Sequence, residues 1–236
     1  MNIIVTGASR GIGYELVKLF AASAENRIIA VARNAEKLQR LQQECQAANP
    51  LSQVLALHCD LSNAEELDRL SVQVRSHVPF VDVLINNAGA IVNKPFPELS
   101  PADFEYVYTV NVFAVAALIQ KVLPVMNPGR RSHIVNISSM GGFQGSAKFA
   151  GLSAYSSSKA ALACLTECLA EEFRESNIAF NCLALGAAQT EMLSEAFPGY
   201  KAPLSAVQMA QFISDFALKA HQFMNGKIIP LSMSTP

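Results

Sequence analysis

Short apolar segments alternate with longer helix-like segments along almost the whole chain, and this alternation limits the possible folds more than any other feature. Seven segments are predicted to be strands: residues 2–6, 27–32, 53–58, 82–86, 133–138, 179–185 and 227–230. Six are predicted to be helices: residues 11–24, 35–48, 64–78, 101–126, 154–176 and 205–220. Strands that are connected through helices run parallel, and the helices then cover both faces of the sheet. The pattern therefore predicts an α/β fold with a doubly wound parallel sheet of about seven strands.

The predicted elements form one domain that spans residues 1–236. Of the 236 residues, 51% are apolar and only 16% are charged, so one large core is expected. Two helix starts carry capping residues, Ser62-Asn63 in one case and Ser100-Pro101 in the other. The sequence contains no internal repeat and no linker that would separate a second domain.

The charges are scattered and nearly balanced, with a net charge of −1. They form no basic stripe for nucleic acid and no polybasic patch for a membrane surface, so neither partner is expected. The longest apolar run, residues 112–119, is well below the roughly 18 residues that a membrane-spanning helix requires. Met1 leads directly into the first predicted strand without a signal peptide, and a cytoplasmic location is predicted.

The five cysteines, Cys45, Cys59, Cys164, Cys168 and Cys182, are an odd number without metal-ligand spacing. Cys164 and Cys168 are four residues apart, so both could face a core. We therefore expect reduced, buried thiols and no metal site, with a redox or metal role as the alternative.

A glycine-rich loop joins the first predicted strand to the first helix, with the sequence Thr6-Gly7-Ala8-Ser9-Arg10-Gly11-Ile12-Gly13. Glycines let a backbone approach a pyrophosphate closely, and a helix N-terminus favours negative charge. The spacing G-x-x-x-G-x-G differs from the commoner G-x-G-x-x-G, and a bare turn is the alternative interpretation. The position of the loop after the first strand favours a dinucleotide site.

The end of the second predicted strand indicates which dinucleotide binds. A carboxylate there would accept a hydrogen bond from the adenosine 2′-hydroxyl and indicate NAD, but the segment reads Val31-Ala32-Arg33-Asn34. Arg33 can pair with a 2′-phosphate, and Arg10 is a second cation within reach. Two cations and no carboxylate favour NADP(H) over NAD(H), unless both arginines are solvated surface residues.

Tyr155 and Lys159 are four residues apart in a predicted helix, so their side chains share one face. An ammonium group nearby favours the phenolate and would lower the tyrosine pKa from its ordinary value of about 10. Such a tyrosine can give a proton to a carbonyl or accept one from an alcohol. Taken singly, the two residues could also be an amphipathic tyrosine and an ordinary surface lysine.

Together these features resemble the short-chain dehydrogenase/reductase family, in its compact single-domain branch with a Rossmann fold. The matching segments occur in the family's order and cover most of the chain: residues 6–13, Asp60, Asn86-Asn87-Ala88-Gly89, Asn111, Asn136-Ile137-Ser138-Ser139 and Tyr155-Ser156-Ser157-Ser158-Lys159.

The resemblance implies a role for each matching residue. Tyr155 would be the general acid in carbonyl reduction and the base in the reverse direction. Lys159 would hold the nicotinamide ribose, Ser139 would hydrogen-bond the substrate oxygen, and Asn111 would help to carry protons through water to Lys159. The implied cofactor-binding residues, with Asp60 at the adenine and Thr190 at the nicotinamide carboxamide, are Gly7, Ser9, Arg10, Gly11, Ile12, Gly13, Arg33, Asp60, Leu61, Asn87, Ala88, Gly89, Tyr155, Lys159, Gly186 and Thr190.

Two segments depart from the family pattern. Where the family commonly has Pro-Gly after the sixth strand, this chain has Leu185-Gly186, and the missing proline is expected to loosen the nicotinamide end of the site. The stretch between Ser139 and Tyr155 is a few residues longer than usual. This insertion should reshape a wall of the substrate pocket, and it leaves Ser138 as the alternative catalytic serine.

The substrate and the oligomeric state are the least specified features. Residues 191–203 form a short candidate lid whose Met192, Leu193, Phe197 and Tyr200 suit an apolar or aromatic substrate, or packing on the sheet. Family members often associate through the last strand and the helix that carries the tyrosine, so a homodimer or homotetramer is expected by analogy.

The leading prediction is an NADP(H)-dependent oxidoreductase that transfers a hydride between the cofactor and a carbonyl or alcohol substrate. The alternative is a catalytically silent NADP(H)-binding sensor or scaffold, because a fold does not determine a function. An epimerase with a permanently bound cofactor is a third possibility, but such relatives usually carry a larger C-terminal substrate domain.

Overall fold

Seven parallel strands form the main sheet in the computed structural model, which describes residues 1–233. The strands of the chain are β1 (Asn2–Thr6), β2 (Arg27–Ala32), β3 (Gln53–His58), β4 (Val83–Asn86), β5 (Ser132–Ser139), β6 (Ile178–Leu185), β7 (Ala188–Gln189), β8 (Leu204–Ser205) and β9 (Lys227–Leu231). The main sheet has the order β3-β2-β1-β4-β5-β6-β9, while β7 and β8 pair with each other outside it. The predicted doubly wound parallel sheet is confirmed.

Helices cover both faces of this sheet. They are α1 (Gly11–Ala21), α2 (Ala35–Ala48), α3 (Ala64–His77), α4 (Pro101–Tyr108), α5 (Ala114–Val122), α6 (Ser153–Glu172), α7 (Glu191–Ala196) and α8 (Ala206–Lys219). One core layer lies between the sheet and α1, α2 and α8, and the other lies between the sheet and α3, α5 and α6. The inner strands are buried on both sides, which explains why they appear in the sequence as continuous apolar runs.

The predicted caps fix two of the helix starts. The side chain of Asn63 accepts hydrogen bonds from the backbone N–H groups of Glu65 and Glu66 at the start of α3. Ser100 and Asp103 form a reciprocal capping box at the start of α4. Each cap satisfies backbone donors that a helix leaves without a partner in its first turn.

A π-helical turn, Thr109–Phe113, connects α4 to α5, and the whole helical run extends over Pro101–Val125. By length and composition alone this run could cross a membrane, which differs from the expectation based on residues 112–119. A core helix passes the same test, and here the run packs on the sheet with Val107, Leu118 and Ile119 buried.

The prediction that the cysteines are buried is wrong for Cys164 and Cys168. Both are exposed on α6, whereas Cys45, Cys59 and Cys182 are buried. Their spacing does place them on one face, but the face that packs on the sheet is occupied by Leu162 and Ala170. Within residues 1–233, no group of three or more His, Cys, Asp or Glu side chains is placed to hold a metal ion.

The direction in which the chain adds strands reverses at β1, whose neighbours are β2 on one side and β4 on the other. The helices that follow β1 and β4 pack on opposite faces of the sheet, α1 on one and α5 on the other, and such a switch point places a crevice at the carboxyl ends of the strands. The segments after β5 and β6 open at the same edge, because all these strands are parallel. The candidate residues meet at this edge.

Candidate active site

The glycine loop folds tightly at the carboxyl end of β1. Gly7 and Gly11 have φ values of 68° and 58°, a left-handed conformation that favours glycine. A Cβ on Gly7 would lie 2.8 Å from the Cα of Ala88, so the close approach of the two backbones also requires glycine. Arg10 is the N-cap of α1 but makes no side-chain capping hydrogen bond. The first-turn N–H groups of α1 are therefore available to an anion such as a pyrophosphate.

Residues after β4 support the glycine loop through Thr6. The backbone N–H groups of Asn87 and Ala88 donate to Thr6 Oγ1, over 3.0 and 3.1 Å. Asn87 Nδ2 donates to the carbonyl oxygen of Thr6 over 2.9 Å. The Asn87 side chain thus shapes the loop rather than projecting freely into the crevice.

Arg33 and Asp60 lie where β2 and β3 end, next to each other in the sheet. Arg33 is exposed and, within the described part of the chain, forms no hydrogen bond or ion pair. Burial tends to raise the pKa of Asp60, but hydrogen bonds from Ser62 and the charge of Arg33 hold that pKa below its ordinary value. Leu61 is buried beside Asp60. This end of the crevice therefore presents an unpaired cation.

Arg10 is held differently from Arg33. Its guanidinium forms a two-pronged ion pair with the carboxylate of Glu195 in α7, and one of the two hydrogen bonds measures 3.1 Å. Thr190 caps α7 by accepting a hydrogen bond from the N–H of Leu193. The methyl carbon of Thr190 lies 3.3 Å from where a Cβ on Gly11 would be. The segment after β6 therefore crosses over the glycine loop as a strap, which we define as residues 190–196.

Asn111 lies inside the π-helical turn, a distortion that is frequent at functional sites. The side chain is fully buried, with Oδ1 accepting from the N–H of Ala90 over 2.8 Å. Its Nδ2 donates to the carbonyl oxygen of Ala90 and to Ser158 Oγ, each over 2.9 Å. Asn111 therefore ties the segment after β4 to the helix that carries Tyr155. A Cβ on Gly89 would lie 3.4 Å from both Asn111 Oδ1 and Lys159 Nζ, so the three residues are close together.

Tyr155 and Lys159 extend from the first two turns of α6 toward the end of β5. Lys159 is only 4% exposed, and its Nζ donates to the carbonyl oxygen of Ile137 over 2.8 Å. The same Nζ lies 5.9 Å from the centre of the Tyr155 ring. An ammonium carries three donors, so at least one N–H of Lys159 is left for a ligand.

The prediction that Lys159 lowers the pKa of Tyr155 is wrong. Burial raises the pKa of Tyr155, and a hydrogen bond with Ser139 offsets this only in part. Burial also lowers the pKa of Lys159 to about 8. Withdrawal from water disfavours both charged forms, and this outweighs the attraction between them. Tyr155 therefore carries its proton at neutral pH.

The two serines at the end of β5 have separate surroundings. Ser138 is buried, and its hydroxyl donates to the carbonyl oxygen of Lys159 over 2.8 Å. Ser139 is the residue that interacts with the phenol of Tyr155. Successive side chains of a strand point to opposite sides, so only one of the two can reach the tyrosine. Of the two candidates, Ser139 is the one beside Tyr155.

The segment Leu185-Gly186 is held more firmly than expected. Leu185 is the last residue of β6, is buried, and pairs with Leu231 of β9. The N–H of Gly186 donates to the carbonyl oxygen of Leu231 over 2.8 Å. This strand pairing, rather than a proline, fixes the chain where β6 ends.

Several parts of the site were not indicated by its motifs. The pairing of β7 with β8, the helix α7 and the contact between Arg10 and Glu195 all lie in or beside the segment predicted only as a lid. Thr190 followed by Glu191 is a typical helix start and could have predicted α7. Within the candidate lid, Tyr200 is exposed, whereas Met192, Leu193 and Phe197 are half-buried.

The chain is similar in sequence to known dehydrogenases and reductases. The family model described as short chain dehydrogenase matches residues 1–201. The 7alpha-hydroxysteroid dehydrogenase of Escherichia coli K12 is 35% identical over 190 residues, which cover 80% of this chain and 72% of the relative. The fatty acyl-CoA reductase of Acinetobacter baylyi is 33% identical over 193 residues, which cover 81% of this chain but only 63% of the relative.

A solved short chain dehydrogenase from Shigella flexneri, complexed with NADP, superposes with a TM-score of 0.88 and 26% identity. The superposition covers 97% of this chain and 95% of that one. The sequence matches and the shared architecture lead to the same result: this chain belongs to the short-chain dehydrogenase/reductase family of oxidoreductases.

Proposed function

We propose that the protein is an NADP(H)-dependent oxidoreductase that transfers a hydride between the cofactor and a carbonyl or alcohol substrate, with Tyr155 as general acid/base. The observation that carries the proposal is the meeting of Tyr155, Ser139 and Lys159 at the crevice where the glycine loop lies. The two curated relatives described above are named as a dehydrogenase and a reductase, which agrees with this reaction class.

The residues around the crevice fit a dinucleotide. The uncapped N-terminus of α1 suits the pyrophosphate, and the spare donors of Lys159 suit the ribose hydroxyls. Arg33 forms no ion pair at the end of β2, and the residues that end this strand include no carboxylate to accept from a 2′-hydroxyl. The Shigella neighbour complexed with NADP adds support for the phosphorylated cofactor. When bound, the nicotinamide would supply or accept the hydride.

Side chains of the protein would transfer the proton and stabilise the charge that develops. In the reduction, the carbonyl carbon gains the hydride and its oxygen gains the proton of Tyr155, leaving a phenolate. The raised pKa of Tyr155 keeps that proton in place until charge develops on the substrate oxygen. Ser139 would donate to the same oxygen, and protonated Lys159 would stabilise the phenolate left behind.

The substrate class, the assembly and the location stay predictions. Phe197 and Tyr200, in the segment between β7 and β8, suit an apolar or aromatic carbonyl compound. A homodimer or homotetramer and a cytoplasmic location remain as expected from the sequence, without a nucleic acid or membrane partner.

Turnover tests the proposal directly. NADPH and NADH consumption would be measured against aldehydes, ketones, quinones and 3-oxoacyl thioesters, with Tyr155→Phe beside the parent. We expect turnover with NADPH, lowered about 10²- to 10⁴-fold in Tyr155→Phe because the acid is removed. NADPH binding by the variant should match that of the parent.

Tyr14→Phe is the matched control, because it also removes one phenol oxygen, in this case one bonded to Glu44 on the outer side of α1. It should turn over like the parent. A Tyr155→Phe variant as fast as the parent would rule out the tyrosine mechanism. Tight NADPH binding without turnover of any compound would favour the sensor or scaffold.

A further inference from the structure

We propose that Glu195 tunes cofactor affinity and preference by competing with the 2′-phosphate of NADP(H) for Arg10. This inference rests on the proposed function, because it takes Arg10 to be one of the two cations for that phosphate. Glu195 belongs to none of the sequence motifs that define the cofactor site. It reaches the site only because the strap crosses the glycine loop.

The ion pair between Arg10 and Glu195 joins residues 185 positions apart, so it is a tertiary contact rather than a local helix pair. It uses both nitrogens of the guanidinium fork and both oxygens of the carboxylate. A phosphate binds the same fork in the same two-pronged manner. Arg10 therefore cannot serve both partners fully at once.

The pair lies at the surface, with 37% of the Arg10 side chain and 62% of the Glu195 side chain exposed. Water and salt screen a pair of this kind, so it is readily exchanged for a stronger partner. A 2′-phosphate carries more charge than a carboxylate and offers more acceptor oxygens. Lys37 of α2 also acts on the Glu195 carboxylate, and it is a cation to which that carboxylate can turn when Arg10 leaves.

A second carboxylate of the strap approaches the anion site. Glu191 Oε2 lies 3.6 Å from where a Cβ on Gly11 would be, at the start of α1. Glu191 and Glu195 are one helical turn apart, so the acidic face of α7 lies against the positive end of α1. An anionic cofactor that enters here meets two negative side chains as well as its cation.

Arg33 provides the contrast within the same site. It carries no ion pair within residues 1–233, so it can receive the phosphate without releasing another group. The two arginines are therefore not equivalent. Binding through Arg33 breaks no ion pair, although the charge of Asp60 acts on it from nearby, whereas binding through Arg10 includes opening its contact with the strap.

Glu195→Gln tests the competition, because it keeps the size of the side chain and removes its charge. We expect the dissociation constant for NADPH to fall about two- to fivefold, as for loss of an exposed ion pair. The constant for NADH, which has no 2′-phosphate, should change less than about 1.5-fold by the same reasoning. Both constants would be measured by calorimetric titration of the full chain.

A double-mutant cycle shows whether Glu195 acts through Arg10. In an Arg10→Ala background, Glu195→Gln should leave the NADPH constant unchanged, because the contested cation is gone. Asp215→Asn is the matched control, since it breaks a similarly exposed pair with Lys219 on α8. It should alter neither constant.

Weaker binding of both cofactors by Glu195→Gln would overturn the inference, since Glu195 would then be a clamp on the bound dinucleotide. An equal gain in the Arg10→Ala background would overturn it too. Failure of the proposed function has a different signature: the parent itself would bind neither NADPH nor NADH, and the inference would fall with it.

Discussion

Two charged side chains are buried at opposite ends of the same sheet, and they are held in contrasting ways. Asp82, 2% exposed, lies at the amino end just before β4. It accepts hydrogen bonds from the backbone N–H of Asn2, from Asn127 Nδ2 and from the guanidinium of Arg130. Lys159, 4% exposed, lies at the carboxyl end and has one acceptor within the described residues, the carbonyl oxygen of Ile137.

The difference separates a charge that supports the fold from a charge that is available for chemistry. Burial tends to raise the pKa of Asp82, but its three partners outweigh burial and hold that pKa below its ordinary value. Burial of Lys159 is not offset in this way, and its pKa falls to about 8. A buried charge with unused hydrogen-bonding capacity is costly, and such groups concentrate at functional sites.

The largest effect that would sharpen this comparison is expected for Lys159→Met. In the proposed mechanism the phenolate of Tyr155 would lose its stabilising cation and the cofactor would lose a donor, so turnover should fall about 10²- to 10⁴-fold. The free energy of unfolding should hold or rise, because a poorly partnered buried charge is replaced by an apolar side chain of similar length. Steady-state kinetics and urea unfolding measure the two quantities.

Lys219→Met is the control for this substitution, since it removes an exposed lysine of α8 that pairs with Asp215. It should change neither quantity appreciably. A Lys159→Met enzyme that unfolds more easily while keeping its turnover would reverse the assignment of Lys159 to chemistry.

The next largest effect concerns His133, which also lies at the amino end of the sheet. It is fully buried between the carbonyl oxygen of Ala217 and the amide of Asn181. Burial lowers its pKa from 6.5 to about 4; the hydrogen bond with Ala217 opposes this shift, and the charges of His221 and Arg131 add to it. Between pH 6.5 and about pH 4, His133 binds a proton in the unfolded chain but not in the folded chain. Stability is therefore full above the unfolded pKa and falls as the pH drops toward about 4, by about 3 kcal/mol.

Urea unfolding between about pH 7 and about pH 4 measures this loss. In His133→Gln the dependence should become shallower, because the most deeply buried titrating histidine is gone, while His221, whose pKa burial also lowers, still contributes. His77→Gln, at an exposed histidine, should keep the parent's slope. A parent whose stability is constant over this range would show that His133 accepts a proton while folded.

The smallest of the three effects is expected for Asp82→Asn. The amide keeps the shape of the carboxylate but presents an N–H₂ group to at least one of its three donors. The free energy of unfolding should fall by about 1–3 kcal/mol. Turnover per folded molecule should be unchanged, because the site is at the other end of the strands.

Asp68→Asn serves as the reference, because Asp68 pairs with Lys121 on the surface. It should cost less than about 1 kcal/mol. If Asp82→Asn lowered turnover while leaving the fold intact, the two ends of the sheet would be coupled, and the division between support and chemistry would not hold.

The main sheet was largely predictable because its five inner strands are covered on both sides. Continuous apolar runs mark such strands, and the turn residues between them mark their ends. The short β7 and β8 and the six-residue α7 escaped prediction, since so few residues carry no periodicity. Their positions depend on tertiary contacts such as that between Thr190 and Gly11.

The site was predictable to the extent that its residues lie in local motifs. The spacing of Tyr155 and Lys159 fixes which way they point, but not how much water surrounds them. The predicted direction of the Tyr155 pKa shift was wrong, because burial rather than the neighbouring ammonium decides it. Glu195, the partner of Arg10, is 185 positions away in the chain, and no local sequence pattern predicts the contact.

The π-helical turn at Thr109–Phe113 determines how far α5 is rotated about the helix axis relative to α4. Such a turn holds one residue more than an α-helical turn, so the helix beyond it is rotated by about 100° relative to an uninterrupted one. The two halves can therefore face different neighbours, with α4 against α6 and α5 against α3. Deleting one residue here would give a regular helix. That helix could not keep both the contact of Asn111 with Ala90 and the packing of the apolar side of α5 on the core. The number of residues in this turn therefore cannot change even by one, although the sequence of the turn looks like that of an ordinary helix.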